Sequence, residues 1–412
     1  MKKLLIFLTL FLTFISSQVS ADDIGISAQS AIAVEANTGK ILYEKNADRA
    51  VGVASISKIL TAYLVYEAIQ DGKISLDSTV DISDYAYDLT THEMAGGIPL
   101  EERKYKVKDL LNASLIASSN SATIALAEKI AGSEPKFVDL MRAKLAQWGI
   151  KQADIVNSTG LINEVLGDHI YPKSDKKSEN MMSAYDVAVV AKHLIEDYPQ
   201  IIEITSQASS DFGEQKLTST NLMLEGMPRM RSSVDGLKTG TSSKYGNSFV
   251  ATSNERGMRL ITVVLGIENP SNDIYLPFTE ANRILTYINQ TFRPVVLVKQ
   301  GKDFEKKTSR IRDGSVDTVT AVAKEDLVIV EQMGTQDITP IQFHSDKKGY
   351  TAPIKKGQVV GSLTFTDNNK IGHGYLENKQ PEIPVVAEKE VTKAFFPKVW
   401  WNHFVDYVNE KL

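Results

Sequence analysis

The chain has 412 residues, 42% hydrophobic and 24% charged, which excludes a largely disordered polymer and leaves room for two or three domains. A formal net charge of -5 offers no cationic surplus for a nucleic-acid backbone, so no nucleic-acid partner is expected. Cysteine is absent and the six histidines are scattered, which removes disulfides, thiol nucleophiles and closely spaced metal ligands; no cofactor and no metal is expected.

The chain opens with Lys2 and Lys3, then a short apolar run from Leu4 to Ile15, then the small residues Val19-Ser20-Ala21. This pattern predicts an export signal over residues 1–21, cleaved after Ala21. An uncleaved anchor is the alternative, but the run is short against the ~20 residues that span a bilayer. Ser30 to Val34 and Lys40 to Tyr43, around Asn37-Thr38-Gly39, predict a hairpin. Ile56 to Ile69 is apolar almost all round, as a helix inside a large core would be. Helical periods recur from Val107 to Leu115, Phe137 to Trp148 and Tyr185 to Ile195. Residues 157–180 are polar and rich in turn formers, and predict a long surface loop.

The period then changes. Val234 to Thr239, Ser248 to Ser253 and Met258 to Ile267 predict three strands, and a helix follows from about Asp273 to Phe292. A hairpin, several helices, consecutive strands and a closing helix describe a mixed α/β (α+β) domain with helices packed on a sheet. Past Arg293-Pro294 come short β-type runs, Val295 to Val298, Val316 to Val322, Leu327 to Val330 and Val359 to Thr366, with no long helix before Glu388. These predict a small all-β domain over 293–388 after a domain over 22–292. In residues 389–412, Val391, Phe395, Val399, Trp400, Phe404, Val408 and Leu412 recur mostly at four-residue steps. The tail predicts an amphipathic helix, either lying on a membrane surface or docked on the β domain. Its three lysines balance its three acids from Glu390 onward, so anchoring by the tail alone must be apolar and aromatic.

Three motifs carry chemistry. Ser55-Ile56-Ser57-Lys58 opens the buried helix, and one helical turn places hydroxyl and amine on one face. A serine needs a base, and a lysine serves only when neutral. Moving its pKa from ~10.4 to ~7.5 asks for roughly 4 kcal/mol, which burial and a second cation can supply. The chain holds four S-x-x-K matches. Those at Ser133, Ser174 and Ser345 fall at a helix cap or in charged loops, and only Ser55 leads into a buried helix. The second motif, Ser118-Ser119-Asn120, lies between two helical periods, where a capping turn is the plain alternative. The third, Lys238-Thr239-Gly240-Thr241, ends a strand and holds the only K-T-G in the chain. A strand edge can pair with an extended peptide, Lys238 can meet a carboxylate, and Gly240 allows close backbone approach.

In this order and setting the three motifs resemble the active-serine penicillin-recognising enzymes. With Val234-Asp235-Gly236-Leu237 before the K-T-G and Ser183-Ala184-Tyr185-Asp186 after the polar loop, the chain is similar to the low-molecular-mass penicillin-binding proteins that are D-alanyl-D-alanine carboxypeptidases. The resemblance implies a β-lactamase/transpeptidase-like catalytic domain. It implies Ser55 as nucleophile on the D-Ala-D-Ala bond of a peptidoglycan stem peptide, Lys58 as base and Ser118 as proton relay. Asn120 and Lys238 would orient substrate and support Lys58, Thr239 and Thr241 would contact the terminal carboxylate, and Gly240 would lie in the substrate-binding strand. The N–H groups of Ser55 and Thr241 would form an oxyanion hole, and Asp186 would cap a helix. β-Lactams are implied as covalent inhibitors, and the membrane surface as a partner of an exported enzyme. A β-lactamase is the first rival; no E-x-x-x-N, which would position a deacylating water, occurs between Asn120 and Lys238. A non-catalytic cell-wall binding or sensor protein is the second; it has no need of Ser55, Lys58 and Lys238 together.

Overall fold

The computed structural model describes residues 24–92, 98–269, 271–334 and 339–411; the export signal expected over 1–21 lies outside them. Strands β1 (Ser30–Glu35) and β2 (Ile41–Lys45) form the expected hairpin. The longer helices that follow are α1 (Lys58–Gln70), α2 (Val107–Leu115), α3 (Asn120–Ala131), α4 (Glu134–Gln147) and α5 (Ala184–Asp197). Strands β3 (Val234–Ser242), β4 (Gly246–Glu255) and β5 (Met258–Ile267) then complete an antiparallel sheet in the order β2-β1-β5-β4-β3, and α6 (Leu276–Thr291) closes the domain.

The sheet is buried on both faces, and its period of two sorts the side chains. Ile32, Val34, Val250, Ile261, Val263 and Leu265 face α1 to α5, whereas Ala31, Ala33, Phe249, Ala251, Leu260 and Val264 face α6. Helix α1 lies inside the first of these cores with residues of all faces buried, which is why its sequence shows no polar stripe. Helix α5 starts at a reciprocal capping box between Ser183 and Asp186, so Asp186 is spent on the helix end.

The C-terminal region is β-rich. Strands β6 (Phe292–Val298), β7 (Asp303–Arg312), β8 (Thr318–Ala323), β9 (Leu327–Gln332), β10 (Ile341–His344), β11 (Tyr350–Thr351), β12 (Val359–Phe365) and β13 (Ile383–Ala387) surround a core of their own. Six of them form one sheet in the order β10-β12-β13-β8-β7-β11, and β6 pairs with β9. Helix α7 (Phe396–Lys411) ends the chain. Val391, counted above with the helical stripe, is instead buried in the β core and bridges Ile354, so the helix begins later than the periodicity suggests. No helix among the described residues is long and apolar enough to cross a membrane.

The two parts meet at the β1–β2 turn. Lys40 reaches across to the Asp367 carboxylate at 2.8 Å and to the Val330 carbonyl at 2.8 Å. Backbone bonds from Ile41 to Gly374 and from Leu376 to Gly39 extend the junction.

Residues 157–180 meet the surface-loop expectation only in part: Gly167 to His169 and Asp175 to Lys177 are exposed, but the two ends of the segment fold inward. Asn157, Ser158, Thr159, Asn163 and Asn180 are all buried. Their polar side chains point inward because they satisfy backbone groups that no helix or sheet satisfies there. Ser133 occupies the N-cap of α4, as its context suggested, but its side chain makes no capping bond.

Candidate active site

Ser55 lies in a single 3-10 turn, Ala54–Ser57, that runs directly into α1. Ala54, just before it, adopts φ +46°, and Ser118 adopts φ +60° in the turn between α2 and α3. Non-glycine residues enter that region only when their surroundings hold them there, so both turns carry local backbone strain. Ser119 caps α3 through the Ala122 amide, which leaves Asn120 as the first helical residue with its side chain turned toward α1.

Lys58 is completely buried. Its Nζ lies 2.9 Å from Ser55 Oγ, 2.6 Å from Asn120 Oδ1 and 2.9 Å from the Thr159 carbonyl. Carbonyl and amide oxygens only accept hydrogen bonds. A neutral amine has two N–H donors and one lone pair; Asn120 and Thr159 take the donors. The lone pair is left facing Ser55, the only one of the three partners able to donate. The electrostatics favour this form. Burial pulls the Lys58 pKa well below its usual value, the charge of Lys238 pulls it further, and Glu134 pulls weakly back.

The polar loop aims the Thr159 carbonyl. Asn157 Oδ1 accepts from the Thr159 and Gly160 amides and from Thr159 Oγ1. Gly160, at φ +84°, packs so tightly that a Cβ there would fall 1.7 Å from the Ala54 carbonyl oxygen. Asn180 Nδ2 donates to Ser57 Oγ and to the Asn157 carbonyl, tying the loop to the nucleophile's turn. Glu134 accepts from the Ser158 amide, Ser158 Oγ and Tyr85 Oη; burial pushes its carboxyl pKa up despite these bonds.

Strand β3 forms the opposite wall. Lys238 is buried, and desolvation alone brings its pKa down to about 7. Its Nζ donates to the Thr239 carbonyl at 3.2 Å. A Cβ on Gly240 would lie 2.7 Å from the Val53 carbonyl oxygen, so this glycine lets the strand edge lie against the nucleophile's turn. Thr239 Oγ1 donates to Thr220 Oγ1 at 2.6 Å, and Thr241 is exposed. Both amines are thus sealed in, whereas the residues Ser55, Ser118, Thr239, Thr241 and Thr220 are at least partly exposed.

The structure therefore brings Ser55, Lys58 and Asn120 into direct contact, with Lys238 acting on Lys58 through its charge. Among the described residues Ser118 makes no hydrogen bond to Lys58, whose contacts are already taken. Thr159, Glu134 and Thr220 were missed from sequence. Thr159 acts through its backbone, which no side-chain motif reports, although Asn157-Ser158-Thr159-Gly160 is a recognisable Asx-turn sequence. Such a site can activate a serine without histidine or metal.

The family described as D-alanyl-D-alanine carboxypeptidase matches residues 16–269, and the penicillin-binding protein 5 C-terminal domain matches residues 292–393. A D-alanyl-D-alanine carboxypeptidase, DacF of Bacillus subtilis, is 29% identical over 94% of this chain and 93% of its own. The crystal structure of a peptidoglycan synthesis regulatory factor (PBP3) from Streptococcus pneumoniae is similar at TM-score 0.86 and 53% identity, covering 89% of this chain and 99% of that one. Penicillin-binding protein 5 of Haemophilus influenzae is similar at TM-score 0.69 and 27% identity, over 89% and 98%. The chain belongs to the D-alanyl-D-alanine carboxypeptidase family of serine hydrolases, the low-molecular-mass penicillin-binding proteins.

Proposed function

We propose that this enzyme removes the terminal D-alanine of a peptidoglycan stem pentapeptide through an acyl-enzyme on Ser55. The supporting observation is the Lys58 amine, buried without a carboxylate in contact and left with one partner that can donate to it. Lys58 takes the Ser55 proton as Oγ attacks the penultimate carbonyl. The C–N bond breaks, the proton passes to the leaving D-alanine nitrogen, and water then hydrolyses the ester. Ser118 stands as the relay for that proton. Thr239, Thr241 and the adjacent Thr220 face the terminal carboxylate, with Lys238 and Asn120 setting the charge and hydrogen bonding of Lys58. The Ser55 and Thr241 amides stabilise the oxyanion, where loss of one such donor typically costs about 10²–10³ in rate. β-Lactams acylate the same serine.

Residues 22–292 form the catalytic domain in this reading and 293–388 the spacer. The segment 389–412 holds the protein at the outer face of the cell membrane after export. What supports the anchor is the bare apolar surface of α7 and the residue before it: Phe395 is 80% exposed and Phe396 76%, and Trp400, Trp401 and Phe404 are exposed as well. The same helix is rooted by polar contacts, Lys398 on Asp317 and His403 on Asp313. The two readings of the tail are thus compatible, one face held by the β domain and the other free for a membrane interface.

Mass spectrometry of a synthetic pentapeptide incubated with the enzyme tests the reaction; loss of one D-alanine is expected, and an intact peptide rejects it. Fluorescent penicillin labels the wild type, Ser133→Ala and Ser174→Ala, and fails to label Ser55→Ala. Truncation after Ala394, which spares the buried Val391, releases active enzyme from membranes; full retention rejects the anchor.

A further inference from the structure

The tail's own charges cancel, but the strand beside it supplies what the tail lacks. Along β7 the burial alternates: Ser309 and Ile311 point into the β core, and Arg310 and Arg312 point out on one face. These two arginines line a cavity of about 620 Å³ between the β domain and α7, together with Thr351, Lys398, Trp401 and His403. The cavity also holds two acids, and both are engaged: Asp317 with Lys398 at 2.9 Å and Asp313 with His403 at 3.1 Å. Arg312 donates only to Thr351 Oγ1, and Arg310 makes no side-chain hydrogen bond or ion pair among the described residues. Two guanidinium groups thus line one cavity with no carboxylate in salt-bridge contact with either among the described residues, and the exposed Trp401 forms part of its wall.

We infer that this cavity binds the phosphate headgroup of an anionic phospholipid, which docks as α7 lays its aromatic side on the membrane. Guanidinium forks match phosphate oxygens in paired hydrogen bonds and are less strongly hydrated than ammonium groups. A headgroup is favoured over a soluble anion because Trp401 and Val405 line the same cavity and Phe404 continues the exposed apolar face next to it. Acyl chains leaving the headgroup there would run along that face. The site rests on the anchoring role proposed above and adds lipid selectivity to it: aromatic insertion gives attachment to any bilayer, and the arginines favour an anionic one.

The test is flotation of the full mature chain with vesicles of phosphatidylcholine alone and of phosphatidylcholine with phosphatidylglycerol. The wild type is expected to bind the anionic vesicles on the order of tenfold more tightly. Arg310→Gln/Arg312→Gln abolishes that preference and keeps the residual binding to neutral vesicles. Lys306→Gln/Lys307→Gln removes the same charge from the same strand outside the cavity, and keeps most of the preference. Equal loss in both double variants reduces the effect to diffuse charge and overturns the site. An unchanged preference in the arginine variant also overturns it. Trp400→Ser/Phe404→Ser separates the two ideas. If it binds both vesicle types as the wild type does, the anchoring role itself fails; if it loses binding to both while the arginine variant behaves as wild type, only the headgroup site fails. Binding of a soluble glycerol-phosphate polymer that competes fully with anionic vesicles reassigns the cavity to a wall polymer. Unchanged penicillin labelling and thermal midpoint confirm that the exposed arginine substitutions leave the fold intact.

Discussion

Two buried lysines in this protein have opposite lives. Lys40 and Lys58 are each almost wholly removed from water, and each donates to a backbone carbonyl, Val330 for the first and Thr159 for the second. Their remaining partners differ. Lys40 meets a carboxylate, Asp367, at 2.8 Å, and Tyr375 Oη donates to the same group. Burial opposes ionisation of Asp367, yet Lys40 and these bonds outweigh it and hold its carboxyl below the usual range. Lys58 meets an amide oxygen and a hydroxyl, with a like charge nearby at Lys238. At Lys40 the counter-ion makes a rivet between domains; at Lys58 its absence, beside a hydroxyl, leaves a base. The carboxylate decides, and burial is common to both.

The contrast is broken most severely at Lys58. Lys58→Met fills a similar volume but cannot take a proton, and acylation by penicillin is expected to fall about 10²–10⁴-fold in a folded protein. Near-normal labelling in that variant would remove Lys58 from the chemistry. Lys40→Met should do the reverse. It leaves Asp367 buried without its cation, at a cost of about 3–5 kcal/mol in denaturant unfolding, while the acylation rate of the folded fraction stays at the wild-type value. A Lys40→Met protein as stable as wild type would mean that the junction does not depend on this pair.

Smaller changes sharpen the electrostatic half of the comparison. Lys58 acts above its pKa, so its pKa sets the acid limb of the acylation profile. Lys238 lowers that pKa and Glu134 raises it. Lys238→Gln should therefore move the acid limb to higher pH, and Glu134→Gln should move it to lower pH. Opposite displacements are a signature that a merely structural disturbance does not produce. Shifts of one sign in both variants would show that packing, not charge, controls Lys58. Lys238, with its own pKa near 7, carries full charge on the acid side, where suppression of Lys58 protonation matters most.

The sequence made the two ends of this chemistry legible to different degrees. Ser55 and Lys58 are one turn apart on a continuous apolar helix, and Asn120 follows a serine that caps the next helix, so local spacing is enough to find them. The Thr159 carbonyl has no side-chain signature, and its polar loop has the composition of a surface segment although its two ends are folded inward. Lys40 and Asp367 lie in different domains, and neither carries a local sign of the other. Strand β7 was missed because eight of its ten residues are not buried, which hid the alternation at Ser309 and Ile311. In each case what was hidden depends on a contact distant in sequence or on the backbone. The fold class was readable because periodicity is local, and the junction was not because it is a meeting of two separately readable parts.

The weakest of these contacts refines the rivet. Beside Lys40, His373 of the β domain lies between two carboxylates of the catalytic domain, Nδ1 at 3.1 Å from Glu44 and Nε2 at 3.1 Å from Asp48, with the Tyr185 ring 5.1 Å away. Partial burial pulls the His373 pKa down, but the hydrogen bonds and charges of Glu44 and Asp48 more than offset it, and the value lies above that of a free histidine. A base whose pKa is raised by folding stabilises the folded state fully below its unfolded pKa, and that contribution fades as pH rises through the folded pKa. The contact should therefore strengthen the junction in mild acid and vanish in alkali, whereas arginine, lysine and carboxylate pairs persist across that range. Because His373 and Asp48 are substantially exposed, solvent screening keeps the effect small. The difference in thermal midpoint between wild type and His373→Asn, followed from about pH 5 to about pH 9, should be largest at the acid end and close to zero at the alkaline end. A difference that stays constant with pH would assign His373 a packing role against Tyr185, and one that grows with pH would contradict the two-carboxylate clamp.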